Sequence, residues 1–351
     1  TYNIENVRAT FGKRAEALLN SLRLFIFDLC MKPIEIGQKE LTGFSFLDLF
    51  YGPLFILLGN TDLRSPTTKW VFTTNWDLCL KQWLEYASAY VHEFEDGVTL
   101  DNQRKPVLST SQGWSVSSQK RKVVPLHGSF DLIKKRRVVS GGFYEDIHKV
   151  TAPEIYFKGN TSEIAKAFMI FPLEAVGYEQ SVRSPYIDML NLLKEVLRQE
   201  NLIFVIGFSF RDPTVASIFE EVLRERAERG DWQPIGGKPN LENISIDRLK
   251  EMRLKVFLID SSPQTVIDNL IRHGYENTGR ALIPIDVSFP DMMIHSEKDL
   301  AVVTKEVEKV ISLIHNKLYA FGVVLAANHI NNALRRYDLS IMPEIAQNNQ
   351  T

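Results

Sequence analysis

Leu202-Ile203-Phe204-Val205-Ile206-Gly207-Phe208-Ser209-Phe210-Arg211-Asp212-Pro213 is the stretch that decides the fold. Five apolar residues in succession read as a strand buried on both faces, which is how strands of a parallel sheet look. Gly207 then permits close backbone approach, and Asp212-Pro213 opens a helix carrying Val215, Ile218, Phe219 and Val222. Upstream, Ser184-Pro185 has the chemistry of a capping hydroxyl followed by proline at a first helical position. Met189, Leu190, Leu193, Val196 and Leu197 form that helix's apolar stripe. Downstream, 254–259 reads as a further strand ending in Asp260-Ser261-Ser262-Pro263, another helix start. Nearer the N-terminus, 70–74 and 122–126 read as strands, the first followed by a helix with Leu80, Trp83, Leu84 and Ala87 on one face. Strands alternating with helices at this spacing predict an α/β fold, a mostly parallel sheet with helices on both faces.

Other segments sit around that pattern. Helical periodicity over 7–30 and an apolar stretch broken by Pro33, Gly37, Gly43, Gly52 and Pro53 suggest a helical module over 10–66. The polar, turn-rich 97–119 reads as a long excursion. Residues 129–166 look like an inserted hairpin or small module, with Lys134-Lys135-Arg136-Arg137 at a solvated tip, and 167–171 as a short strand. An amphipathic helix over 298–315 lies in a C-terminal helical extension, 291–351, beyond a main domain at 1–290.

Composition excludes several classes. With 44% hydrophobic and 24% charged residues over 351 positions, the chain is globular rather than disordered. Forty-one basic against 43 acidic residues give a formal charge of −2 and no global field for a polyanion, so direct nucleic-acid binding is not expected. The longest apolar runs are too short to span a bilayer, and no membrane partner is expected. Cys30 and Cys79 are too few for a four-thiolate zinc site or a disulfide framework and fit a reducing, cytoplasmic setting. The histidines at 92, 148, 273, 295, 315 and 329 show no metal-ligand spacing.

In parallel sheets, ligands bind outside the carboxyl ends of the strands. Four such ends carry polar residues: Thr73-Thr74-Asn75-Trp76-Asp77, Leu126-His127-Gly128-Ser129, Gly207 to Pro213, and Asp260-Ser261-Ser262. Each has a plain structural reading as well. Asn75, Asp77 or Asp212 would cap a helix, His127 would fill a turn, and Trp76 would be core or lid packing. Tyr178, Arg183 and Tyr186 flank the loop ahead of a strand and could face a pocket. Taken together, the four ends are expected at one edge of one sheet, with no comparable cluster elsewhere.

As an ordered set, these residues resemble the motifs of sirtuin-like NAD-consuming domains, and are most similar to the zinc-free branch of bacterial anti-phage defence systems. The likeness runs from about residue 68 to 275. It implies a Rossmann-like NAD site with a helical module, NAD as substrate without zinc, and cleavage of the nicotinamide–ribose bond. It also implies homo-oligomers and a partner ATPase or Argonaute-like protein. On this resemblance Asn75 contacts the nicotinamide ribose and places the attacking water, Asp77 holds the carboxamide, and His127 is the ribose-side base. Thr73, Thr74 and Trp76 are further cofactor-binding residues, with Trp76 able to stack on nicotinamide. Gly207 and Ser209 line the phosphate and adenosine-ribose end, Asp260 and Ser261 lie near the adenosine, and Asp212 is a further cofactor-binding residue. Such a reaction needs stabilisation of an oxocarbenium-like sugar more than a strong nucleophile, and a fixed amide, a carboxylate and an imidazole suit it.

The sequence departs from the family pattern twice. The Gly-Ala-Gly phosphate loop has no counterpart in residues 1–70, and the expectation is that its strand and loop precede Thr1. The Cys pairs of deacylating sirtuins are absent, with 129–166 in their place, which puts NAD hydrolysis ahead of deacylation. The alternatives are a non-catalytic NAD or ADP-ribose sensor, a structural subunit of a defence complex, and a protein deacylase.

Overall fold

A computed structural model describes residues 70–75, 94–100, 106–109, 113–114, 120–139, 142–149, 167–169, 185–232, 251–287 and 297–320, with 21, 24, 34–36, 39–41 and 80. The chain forms two compact units. The first comprises Thr1–Pro33, Lys69–Arg198 and Asp212–Ile218, and the second Ile34–Thr68, Gln199–Arg211 and Phe219–Thr351. The second contains a short antiparallel hairpin of β1 (Ile34–Ile36) and β2 (Lys39–Leu41), in a stretch expected to hold short helices and loops.

The first unit contains a parallel sheet of β3 (Trp70–Thr73), β4 (Phe94–Glu95) and β7 (Arg121–Pro125), with β7 in the middle. Its central place explains the burial. Val123 and Val124 are wholly buried although consecutive, because both faces of the strand are covered. Lys122, one residue earlier, is buried as well. Its ammonium lies 5.0 Å from the Trp70 ring centroid and donates to the Lys120 carbonyl at 3.0 Å, which compensates part of the cost of desolvation.

The same unit holds a five-stranded antiparallel sheet in the order β10-β8-β9-β6-β5. It consists of β5 (Val98–Leu100), β6 (Pro106–Leu108), β8 (Gly128–Val139), β9 (Gly142–Lys149) and β10 (Ala167–Met169). The polar excursion therefore holds strands. The basic run is not a tip but lies within β8, with Lys135 opposite Asp146 and Arg136 opposite Glu145 in register. β10 likewise pairs antiparallel with β8. Helix α1 (Tyr186–Gln199) comes next in the chain, buried along Met189, Leu190, Leu193 and Leu197 as the stripe predicts. Tyr186 stacks on Phe168 with centroids 4.3 Å apart and is 4% exposed, so its ring is core packing rather than pocket lining.

The second unit contains β11 (Leu202–Ile206), β12 (Lys255–Asp260) and β13 (Leu282–Asp286), all parallel, with β12 central. The strand predicted to be buried on both faces is thus at one end of the sheet's order, and Leu202 is 41% exposed. β12 takes the doubly buried role, with Val256, Phe257, Leu258 and Ile259 in unbroken succession at no more than 1% exposure. Helices α2 (Pro213–Glu228), α3 (Pro263–Arg272) and α4 (Glu276–Ala281) connect or follow these strands. Parallel sheets with helices against them make this an α/β, Rossmann-like architecture, though the single sheet expected is two three-stranded parallel sheets among the described residues.

Arg226 of α2 is buried and joins the end of that helix to the start of β11. It bonds to Asp231 at 2.9 Å, to the Asn201 side chain at 2.6 Å, and to the Glu200 carbonyl. Helix α5 (Glu297–Ala320) extends the predicted 298–315 at both ends, burying Val310, Ile311, Ile314 and Leu318.

Gly128, which opens β8 directly after the turn from β7, lies against the backbone of β10. Its φ is +82°, and a Cβ there would lie 1.9 Å from the Phe168 carbonyl oxygen of β10. Gly128→Ala is expected to destabilise the protein by about 2 kcal/mol or more, combining left-handed strain with a backbone collision. Urea unfolding reads this as a lower midpoint, and a midpoint equal to the wild type's would contradict the geometry.

Candidate active site

The site is built from the register of β3 on β7. Trp70 pairs with Lys122 and Thr73 with Pro125, and the Leu126 amide donates to the Thr73 carbonyl at 2.8 Å, carrying the pairing one residue past the strands. Asn75 and His127 each come two positions after a paired residue, Thr73 and Pro125, at the same carboxyl edge. The Asn75 amide donates back to Thr73 Oγ1 at 3.0 Å, a hydroxyl turn that fixes where the chain leaves β3. Thr73 and Thr74 are half-buried and Asn75 is exposed.

His127 occupies the turn between β7 and β8. Its Nε2 lies 2.6 Å from Asp212 Oδ2, and the two side chains are 11% and 18% exposed. The other carboxylate oxygen of Asp212 caps α2, accepting from the Thr214 amide at 2.8 Å and the Val215 amide at 3.3 Å. Burial alone would push this carboxyl up. The hydrogen bond and charge of His127, with the amides of Val215 and Thr214, outweigh it and hold Asp212 below the ordinary carboxylate value. Asp212 is therefore ionised at neutral pH, and the short contact is charge-assisted. Directly after the turn, Ser129 Oγ donates to Asp131 Oδ1 at 2.5 Å, both side chains buried.

The structure thus brings Asn75, His127 and Asp212 into the first unit, with Thr73 and Thr74 on the strand that presents Asn75. Trp76, Asp77, Tyr178 and Arg183 lie outside the described residues. Gly207, Ser209, Asp260 and Ser261 belong to the second unit, at the adjacent ends of β11 and β12. There the Gly207 amide donates to the Ile259 carbonyl at 3.0 Å. Gly207 has φ +59°, with nothing among the described residues within 4 Å of where a Cβ would stand, and Ser209 is exposed. Phe210 has φ 55°, unusual for a side chain of that size, and is held there by edge-on packing against Phe208 at 4.9 Å and Phe219 at 5.1 Å. Asp260 Oδ1 accepts from the Ser262 amide at 2.8 Å, and Ser261 is exposed.

Sequence reading assigned His127 and Asp212 separate tasks and missed their bond. The available signal was Asp212 itself: a capping aspartate uses one oxygen for the helix and leaves a second free. Among the described residues, no group of three or more His, Cys, Asp or Glu side chains is arranged to hold a metal ion. No helix among them is long and apolar enough to cross a membrane.

The chain is a parallel α/β, Rossmann-like scaffold with Asn75 and the His127–Asp212 pair just beyond the ends of β3 and β7. The profile of the SIR2-like domain family matches residues 69–257, more than half of the 351-residue chain, and the protein belongs to that family. No curated protein matches it. The family is compatible with NAD-related activity.

The lowered ionisation of Asp212 has a consequence for stability. Its contribution is fully present above the unfolded carboxyl value, about 3.9, and is lost as pH falls through the lower folded value. Asn caps a helix about as well as Asp. Asp212→Asn is therefore expected to lower the melting temperature by a few degrees at neutral pH, with the difference shrinking below about pH 4. Thermal melts followed by circular dichroism at both pH values test this, and a difference that persists unchanged into acid would contradict it.

Proposed function

We propose that this protein hydrolyses NAD to ADP-ribose and nicotinamide. The observation that carries the reading is the pairing of β3 with β7, which sets Asn75 and His127 at neighbouring strand ends. NAD supplies a ribose bonded to a positively charged pyridine that departs as a neutral base. The residues of the first unit fit such a substrate: an exposed amide at Asn75 and an imidazole at His127 still partly open to solvent.

In this reading Asn75 orients the ribose and the attacking water, and His127 takes a proton on the ribose side. Thr73 shapes the turn that aims Asn75, and Thr74 borders it. Asp77 and Trp76 serve the nicotinamide ring. Gly207 and Ser209 serve the phosphates and adenosine ribose, and Asp260 and Ser261 the adenosine.

We place the chain in the zinc-free branch, because the region 129–166 contains the β8–β9 pair and the sequence has two cysteines, short of the four that a ribbon uses. On the resemblance of its ordered motifs, NAD depletion during anti-phage defence is the proposed role. The proposed setting is a homo-oligomer in the cytoplasm with an ATPase or Argonaute-like partner.

Nicotinamide release from NAD, followed chromatographically with the full chain and with the partner present, tests the reading. Release without any acylated peptide is expected, and Asn75→Ala and His127→Ala are each expected to lower it at least about 100-fold. Full turnover in either variant would overturn the site assignment. Tight NAD binding without release would favour a sensor, and release only with acylated peptide would favour a deacylase.

A further inference from the structure

We infer that Asp212 is a positioning residue that fixes the tautomer of His127, making Nδ1 the basic nitrogen of the site. Its catalytic consequence rests on the proposed NAD hydrolysis, whereas the tautomer itself does not. The two oxygens of Asp212 have separate partners. Oδ1 is committed to the amides of Thr214 and Val215, and Oδ2 faces His127 Nε2 at 2.6 Å. An ionised carboxylate only accepts hydrogen bonds, so the neutral imidazole must carry its proton on Nε2. Nδ1 then keeps its lone pair, and no hydrogen bond engages it among the described residues.

A fixed tautomer determines what the ring can do. When Nδ1 takes a proton from a substrate hydroxyl, the electron pair of that O–H bond stays on oxygen and the ring becomes an imidazolium. Oδ2 stabilises that cation while remaining unprotonated. The same carboxylate restrains ring rotation, and because Oδ1 is fastened to the first turn of α2, the imidazole is referred to a helix end rather than to a mobile side chain. This gives Asp212 a role different from direct contact with the adenosine end of NAD.

The arrangement makes an unusually pointed variant available. In Asp212→Asn the carbonyl oxygen is retained by the Thr214 and Val215 amides, which turns the NH2 group toward His127. A donor at that place requires Nε2 to accept, moving the ring proton to Nδ1 and removing the base. Long-range nitrogen–proton NMR correlation of the neutral ring in the full chain reads the two tautomers directly. The wild type is expected to show Nε2–H and Asp212→Asn to show Nδ1–H. NAD turnover is expected to fall roughly a thousandfold or more in the variant.

Asp212→Ser keeps a capping hydroxyl but is too short to reach His127, so it should give turnover between the other two. The inference is overturned if His127 has the same tautomer in wild type and Asp212→Asn, or if the wild type carries its proton on Nδ1. A tautomer switch in a wild-type protein that releases no nicotinamide would uphold the role of Asp212 and reject NAD hydrolysis instead.

Discussion

The parallel register of β3 on β7 is the constraint on which the site depends. Trp70 pairs with Lys122, Val71 with Val123, Phe72 with Val124 and Thr73 with Pro125, and a slip of one residue would shift every one of these partners and separate the levels at which the two strands end. The bond from the Leu126 amide to the Thr73 carbonyl carries the alignment beyond the last strand residue, so the chain leaves both strands at a common level. Asn75 beyond the end of β3 and His127 beyond the end of β7 are held by that register before any side-chain interaction is considered.

The second constraint is the use of one aspartate for two purposes. Helix α2 needs acceptors for its first amides, and an imidazole in a turn needs an acceptor to settle its orientation. Asp212 meets both requirements, one oxygen each, and its ionisation below the ordinary range is caused by the donors around it. Gly128 follows the histidine directly, and only a residue without a Cβ leaves room there for the Phe168 carbonyl.

Much of the scaffold was legible in the sequence because continuous apolar runs and helical stripes are local signals. The strand at 202–206, the helix starts after Ser184 and Ser262, and the long C-terminal helix all lie where periodicity placed them. The burial of individual strands was less legible. Leu202 to Ile206 looks as apolar as β12, yet strand order, a non-local property, exposes one and covers the other. Strands β5 and β6 were hidden because short antiparallel strands tolerate polar and proline residues. Strand β4 was hidden because two residues carry no period, and the basic run of β8 mimicked a solvated tip because charge alone does not separate a strand from a turn. Strand β13 comes after a helix too short to show a period and was not anticipated. At the site, strand-end position singled out Asn75 and His127. The bond between His127 and Asp212 joins residues 85 apart, and no spacing rule encodes it.

If the ends of β3 and β7 are where the nicotinamide ribose is held, a crystal structure of the full chain with a non-hydrolysable NAD analogue shows it most directly. The ribose hydroxyls are expected within hydrogen-bond distance of both the Asn75 amide and His127 Nδ1. An analogue bound with its ribose remote from those two side chains would contradict that placement.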